Sequence, residues 1–210
     1  MLIVECNEQR SPEWYAARRG KITASAADRL LTTAKQKTYA QELLVEILTN
    51  EESDNYVNEA MQWGIDNEAA AVDWYWWTTS VAPEHVSFCL YNNDDGPWKR
   101  LGGIAGASPD GLIATDGLIE IKCPTSRVHL EHLENGPSEK YVAQIQWQLF
   151  VTNRKWCDFV SFDPRFQEPL NGCIHRIERD EDAIEKLAKG AIKVLDYMDK
   201  FKTKVFGRIQ

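Results

Sequence analysis

Two short stretches of this 210-residue chain carry residue types suited to metal-assisted chemistry: Ser108-Pro109-Asp110-Gly111 and Leu118-Ile119-Glu120-Ile121-Lys122. Between them Asp116-Gly117 is a strong hairpin-turn signal. Side chains alternate faces along a strand, so Ile119, Ile121 and Cys123 can enter a core while Glu120 and Lys122 point together to the other side. Pairing the strands brings Asp110 beside that second face. Asp110 and Glu120 would then offer hard oxygen ligands to Mg²⁺, with the Ile121 carbonyl as a further ligand and Lys122 placed to orient or deprotonate a water. The same residues also suit a half-exposed hairpin with Glu120 and Lys122 in solvent and Asp110 shaping a turn with Gly111. Spacing alone slightly favours that plainer reading.

Other candidates surround this pair. Gln144 and Gln148 are four apart and share a helix face, although Gln148 is as readily a solvated residue. Arg18 and Arg19 close one helix, where cations favour the C-terminal dipole, and Ser25 opens the next as a cap. A helix start with free amides, a hydroxyl and a nearby guanidinium is equally an anion site. Lys35 and Lys37, in a polar turn, suit an anionic partner and plain solvation equally.

The elements that must position these residues read as an α/β chain. Ser11-Pro12-Glu13 opens a first helix that ends at Gly20, and Thr23 or Ser25 caps a second. A third runs from about Lys37 to Thr49. A fourth, from about Asn58 to Thr79, is crowded with Trp63, Trp74, Tyr75, Trp76 and Trp77 and suits core or subunit-interface packing. Strands follow at His85 to Tyr91, Ile104 to Ser108 and Leu118 to Cys123. Glu139 to Val151 reads as a helix, Trp156 to Ser161 and Cys173 to Arg179 as strands, and Asp182 to Phe201 as an amphipathic closing helix. Without repeat or linker, residues 1–210 are expected to form one domain.

Composition removes several classes. A net charge of −8 argues against a generic polyanion-coating protein, though basic groups confined to a channel would escape that sum. The five cysteines are odd in number and lack a C-x-x-C pair, so they read as buried thiols rather than a disulfide or metal framework. His129 and His132 lie three apart on a polar stretch and read as surface residues. No membrane span or secretion signal is evident, so a cytoplasmic location is expected.

Pro109-Asp110 followed by Glu120-x-Lys122 is the pattern of the PD-(D/E)XK nucleases. It sits here within Gly106-Ala107-Ser108-Pro109-Asp110-Gly111-Leu112 and Glu120-Ile121-Lys122-Cys123-Pro124, which resemble the lambda-type phage alkaline exonucleases. Trp14-x-x-x-Arg18-x-Gly20-x-Ile22-Thr23-Ala24-Ser25, Gly64-x-x-x-Glu68, Ala143-Gln144-Ile145-Gln146-Trp147 and Phe162-Asp163-Pro164-Arg165 match that family in order, over roughly residues 14 to 165. The resemblance implies a restriction-endonuclease-like fold with a mixed central sheet flanked by helices. It implies a Mg²⁺-dependent exonuclease, with Mn²⁺ substituting and Ca²⁺ binding without turnover, that resects duplex DNA from 5′ ends and leaves a 3′ overhang. It makes Glu68 a further metal carboxylate, Gln144 a neighbour of the scissile phosphate or attacking water, and Arg18, Ser25, Ser108 and Arg127 contacts to a terminal 5′-phosphate. It further implies a homotrimeric ring, a phage single-strand annealing protein as partner, and a phage or prophage gene expressed in a bacterial host. The rivals are another nuclease on the same fold, of helicase-associated or iron-sulfur type, and a non-catalytic DNA-end-binding ring. The absent cysteine cluster opposes the iron-sulfur form, and the presence of Asp110, Glu120 and Lys122 opposes the silent ring.

Overall fold

The computed structural model describes residues 1–6, 8–51 and 59–207. Strand β1 (Leu2–Val4) leads to helix α1 (Pro12–Arg18), which is capped as its sequence dictates: Pro12 occupies the first turn and the Ser11 hydroxyl accepts from the Trp14 amide. Strand β2 (Ile22–Thr23) runs into a 3₁₀ helix, Ala24–Leu30, followed by α2 (Thr33–Thr49) and α3 (Glu59–Thr79). The expected start of α3 at Asn58 lies outside the described residues. Then come β3 (Phe88–Leu90), β4 (Ala105–Ala107), β5 (Gly111–Ile113), β6 (Gly117–Lys122), α4 (Ser126–Asn135), α5 (Glu139–Thr152), β7 (Trp156–Phe162), β8 (Gly172–Glu178) and α6 (Glu181–Phe206).

The expected mixed α/β architecture is present, but its strands divide between two four-stranded mixed sheets, ordered β1-β3-β4-β2 and β5-β6-β7-β8. The division falls at Ser108-Pro109-Asp110, between β4 and β5. Pro109 has no N–H to give to a ladder, so the chain leaves one sheet there and starts the next. The Asp116-Gly117 hairpin forms, with Gly111 opposite Ile119 and Ile113 opposite Gly117. Strand β6 pairs parallel with β7, placing Glu120 beside Phe159 and Lys122 beside Ser161 on one face.

Several expected boundaries shift. Helix α2 begins before Lys37, so Lys35 and Lys37 lie in its first turns rather than in a loop, and Lys35 pairs with Asp28 at 2.8 Å. Ser25 lies inside the 3₁₀ helix; neither it nor Thr23 makes a side-chain cap bond there. The strands at 88–90 and 105–107 are shorter than expected, and helix α4 was not expected at all.

The larger core joins α2, α5, α6, the 3₁₀ helix and one face of each sheet around Trp147, Leu149, Phe159 and Leu118. Helix α6 buries Ile184, Leu187, Ala188, Ala191, Val194 and Met198 at three- and four-residue spacing. Gly190 brings α6 against the 3₁₀ helix so closely that a Cβ would lie 2.0 Å from the Leu30 carbonyl oxygen. A smaller core under the other face of β6 holds Ile119, Ile121, Cys123, Val160 and the α3 residues Ala71 and Tyr75. The tryptophan-rich helix thus packs through Tyr75 and Trp74, while Trp76 and Trp77 remain exposed. Of the cysteines, Cys89, Cys123 and Cys157 are buried, Cys6 and Cys173 are half-buried, and all five are free thiols. Among the described residues no helix is long and apolar enough to cross a membrane.

Candidate active site

Alternation along β6 sends Ile119 and Ile121 into the smaller core and Glu120 toward α5. Glu120 is only 1% exposed, which excludes the solvent-facing hairpin. Burying a carboxylate is tolerable only when its oxygens are satisfied. Gln144 Nε2 donates to Glu120 Oε1 at 2.5 Å, Gln148 Nε2 donates to Oε2 at 2.5 Å, and Lys122 Nζ also donates to Oε1. Gln148 is fully buried, not solvated, because the same helix face that carries Gln144 turns it onto Glu120. Asp110 arrives from the inter-sheet segment, and the Ile121 amide donates to its Oδ2 at 2.6 Å.

Burial, reinforced by the neighbouring charge of Glu120, raises the Asp110 carboxyl well above the ordinary carboxylate range, and the Lys122 ammonium only partly offsets this. Burial by itself would push Lys122 down, but the carboxylates of Glu120 and Asp110 outweigh it and hold the ammonium above its usual value. The Cys123 thiol is pushed up to about 12, first by burial and then by the charges of Glu68 and Asp110. Glu68 on α3 is therefore within the field of this group.

A cavity of about 540 Å³ opens over the group, lined among others by Arg10, Ser25, Glu68, Asp110, Lys122 and Gln144, with Ile121 at its floor. Glu68 Oε2 accepts from Arg10 at 2.7 Å. Among the described residues no three His, Cys, Asp or Glu side chains are gathered closely enough to enclose an ion by themselves. The donor set nonetheless fits a small hard cation. Such an ion keeps several waters and takes one or two carboxylates, and Asp110 is a carboxylate under repulsion from its neighbours that a positive charge would relieve. Asp110 and Glu120, with the Ile121 carbonyl and Glu68 nearby, are the residues that would hold it.

The second group is built where α1 ends and β2 begins. Arg18 donates to Ser108 Oγ at 3.2 Å and to Ser25 Oγ at 3.3 Å, so these three are brought together across the chain. The Trp14 ring supports the guanidinium from 4.1 Å, and Trp14 Nε1 also reaches Ser108 Oγ at 2.9 Å. Partial burial lowers the Arg18 pKa to about 10. The backbone that aims Ser25 is held by the Tyr39 hydroxyl, which accepts from the Thr23 amide, and by Trp147, which donates to the Ile22 carbonyl. A second cavity, of about 250 Å³, lies here among Arg18, Arg19, Lys21 and Arg29, and Ser25 lines both cavities. Arg127 is not brought to this group: its side chain is 90% exposed on α4 and pairs with Glu131 at 3.3 Å.

A model of the YqaJ-like viral recombinase domain matches residues 13–155. The chain belongs to the YqaJ-like viral recombinase family. It is 34% identical to an alkaline exonuclease from Laribacter hongkongensis, over 94% of this chain and 99% of that one, with TM-scores of 0.79 and, for that protein in complex with dAMP, 0.80. A phage-related exonuclease from Haemophilus somnus shares the fold at 13% identity, with a TM-score of 0.64 over 88% of this chain and 96% of that one. No curated protein matches the chain. The fold is therefore the PD-(D/E)XK type expected.

Within this viral recombinase domain, two features escape sequence reasoning. Arg10 precedes the matched region and belongs to no motif, so only the folded loop reveals it. His129 and His132 are not surface residues but are 0% and 3% exposed, because α4 turns both onto β7. Both Nδ1 atoms meet Ser161 Oγ, at 2.8 and 2.9 Å. His129 Nε2–H donates to the Leu170 carbonyl, so its Nδ1 accepts the Ser161 hydroxyl proton and Ser161 in turn accepts from His132 Nδ1–H. The three-residue spacing of His129 and His132 was the available signal.

Proposed function

We propose that this chain is a divalent-metal-dependent exonuclease that resects one strand of duplex DNA from a 5′-phosphorylated end, leaving a 3′ overhang for recombination by strand annealing. Family membership makes it a nuclease acting on DNA; the polarity, Mg²⁺ as the ion and the 5′-phosphate preference are our reading. The observation that carries it is the position of Ser25, shared by the basic cavity of Arg18 and the cavity lined by Glu68, Asp110 and Lys122. A terminal phosphate gripped by Arg18, Ser25 and Ser108 would leave the neighbouring linkages beside the carboxylates, an arrangement that suits an enzyme that starts at ends.

Mg²⁺ held by Asp110, Glu120 and the Ile121 carbonyl, with Glu68 directly or through water, would polarise the scissile phosphate and acidify the attacking water. Lys122, an ammonium between both carboxylates, would orient that water and offset charge accumulating on the phosphate. Gln144, bonded to Glu120 and lining the same cavity, would keep the carboxylate in register and offer a donor to the phosphate. Arg127 has no assigned part in this reading.

An acidic subunit has little general attraction for duplex, so a closed homotrimer around DNA would supply retention. The exposed Trp76 and Trp77 on α3 are apolar surface suited to such an interface, and an annealing protein would receive the 3′ strand. The direct test is to digest 5′-labelled and 3′-labelled linear duplex in Mg²⁺. Early release of the 5′ label as mononucleotide is expected; early release of the 3′ label, or internal cuts in circular duplex, would overturn the reading.

A further inference from the structure

Arg10 stands where the two halves of this site meet. It lines the cavity together with Ser25 of the phosphate group and Glu68 and Asp110 of the carboxylate group. Its position is built rather than incidental. Arg10 adopts φ 70°, a left-handed conformation uncommon outside Gly, Asn and Asp. The preceding Gln9 pins the loop by donating to the carbonyls of Val86 and Pro109, both at 3.1 Å, and Pro109 adjoins Asp110. The loop is thus fastened to the segment that carries the carboxylate, and its guanidinium is set on Glu68 at 2.7 Å.

Both ends of this ion pair have a second use. Glu68 lies within the field of Asp110 and Cys123, on the same cavity that would hold a cation. Arg10 is 44% exposed, and its planar fork suits a backbone phosphate as well as a carboxylate. An exposed pair of this kind is weak, about fivefold at most in an equilibrium constant, so either partner can be drawn away.

We propose that Arg10 is a positioning residue that competes with the divalent cation for Glu68, while a DNA phosphate competes with Glu68 for Arg10, so that nucleic acid and metal each promote binding of the other. A phosphate that takes Arg10 frees Glu68 for the ion; an ion that takes Glu68 frees Arg10 for the strand. The coupling is reciprocal by thermodynamic necessity. This inference rests on the reading of Glu68 as a metal carboxylate.

The test is calorimetric titration of Ca²⁺ into the full chain, with and without a 5′-phosphorylated duplex, alongside duplex binding by anisotropy in EDTA. In wild type the duplex should tighten Ca²⁺ binding. In Arg10→Ala, Ca²⁺ should bind the DNA-free protein about twofold to fivefold tighter, the duplex should tighten Ca²⁺ binding about twofold to fivefold less than it does in wild type, and duplex affinity in EDTA should fall with a salt slope shallower by about one. Arg10→Lys should restore part of both effects, since the charge returns without the fork. Glu68→Gln should weaken Ca²⁺ binding and leave duplex affinity in EDTA equal or higher. If Glu68→Gln weakens Ca²⁺ binding but Arg10→Ala leaves it unchanged or weaker, the inference is overturned and the reading of Glu68 stands. If Glu68→Gln leaves Ca²⁺ binding intact, the reading of Glu68 falls and the inference with it.

Discussion

Replacing Gln148 by Met separates activity from stability. Gln148 Nε2 donates to the buried Oε2 of Glu120 at 2.5 Å, a bond to a charged acceptor of the kind that contributes about 1.5–3 kcal/mol. Its own carbonyl oxygen, Oε1, is buried without a hydrogen-bond partner among the described residues, a defect of about 1–3 kcal/mol that methionine removes. The two changes oppose each other, and the thioether fills similar volume, so the net change in stability should lie within about 2 kcal/mol. Glu120, however, loses the group that fixes one oxygen while Gln144 and Lys122 still pull on the other. Removing an outer partner of a metal-binding carboxylate typically lowers metal affinity or turnover about tenfold to a hundredfold. Urea unfolding, Ca²⁺ titration and duplex digestion in Mg²⁺ on the same preparation give the three readouts. Wild-type turnover and ion affinity in Gln148→Met would refute the assignment of Gln148 as the residue that holds Glu120. A stability loss of several kcal/mol would refute the compensation argument.

Duplex bearing a 5′-phosphate should be digested about tenfold to a hundredfold faster than duplex bearing a 5′-hydroxyl, the range of one or two charge-assisted bonds. Arg18→Ala should erase most of that ratio and Arg18→Lys restore part of it, measured as kcat/KM on both substrates. His132 supplies a pH dependence of folding. Burial lowers its pKa from 6.5 to about 4, so the unfolded chain binds its proton first as the medium is acidified. The stability it contributes is complete above pH 6.5 and is lost as pH falls toward 4, by about 2 kcal/mol at pH 5; urea midpoints at pH 8 and pH 5 should converge in His132→Gln relative to wild type. Gly190→Ala should destabilise the fold by about 1–3 kcal/mol in urea unfolding, because its methyl group would press on the Leu30 backbone and force α6 away from the 3₁₀ helix that carries Ser25.

The legible part of the site was local. Period-two alternation placed Glu120 and Lys122 on one face of β6, and Asp116-Gly117 fixed the register that returns Asp110 to them, because both signals act within a dozen residues. Alternation could not say whether that face was wet, since burial depends on α5 crossing it, more than twenty positions later. The helix period did place Gln144 and Gln148 together, and only tertiary packing decided that both reach Glu120. The split of the strands into two sheets was likewise implicit in Pro109, a residue without a donor in the middle of a strand-rich stretch, but a single proline does not say where the interrupted ladder resumes.

The residues that were missed or misplaced share a different cause. Arg10 has no periodic context and reaches Glu68 across fifty-eight positions through a left-handed bend, a conformation that its own type disfavours. His129 and His132 were misplaced because α4 was not anticipated: Ser126–Asn135 is short, follows a proline, and lacks a side-chain cap bond at Thr125. Once that helix exists, three-residue spacing turns both rings onto one hydroxyl, and burial then demands the alternating donor order that runs from His132 through Ser161 and His129 to Leu170. Arg127 entered only through the family resemblance; the register of α4 gives the face toward β7 to His129 and His132, and leaves Arg127 beside Glu131 in solvent. One helix face thus accounts for both discrepancies: the face of α4 that buries His129 and His132 against Ser161 is the face that Arg127 does not share.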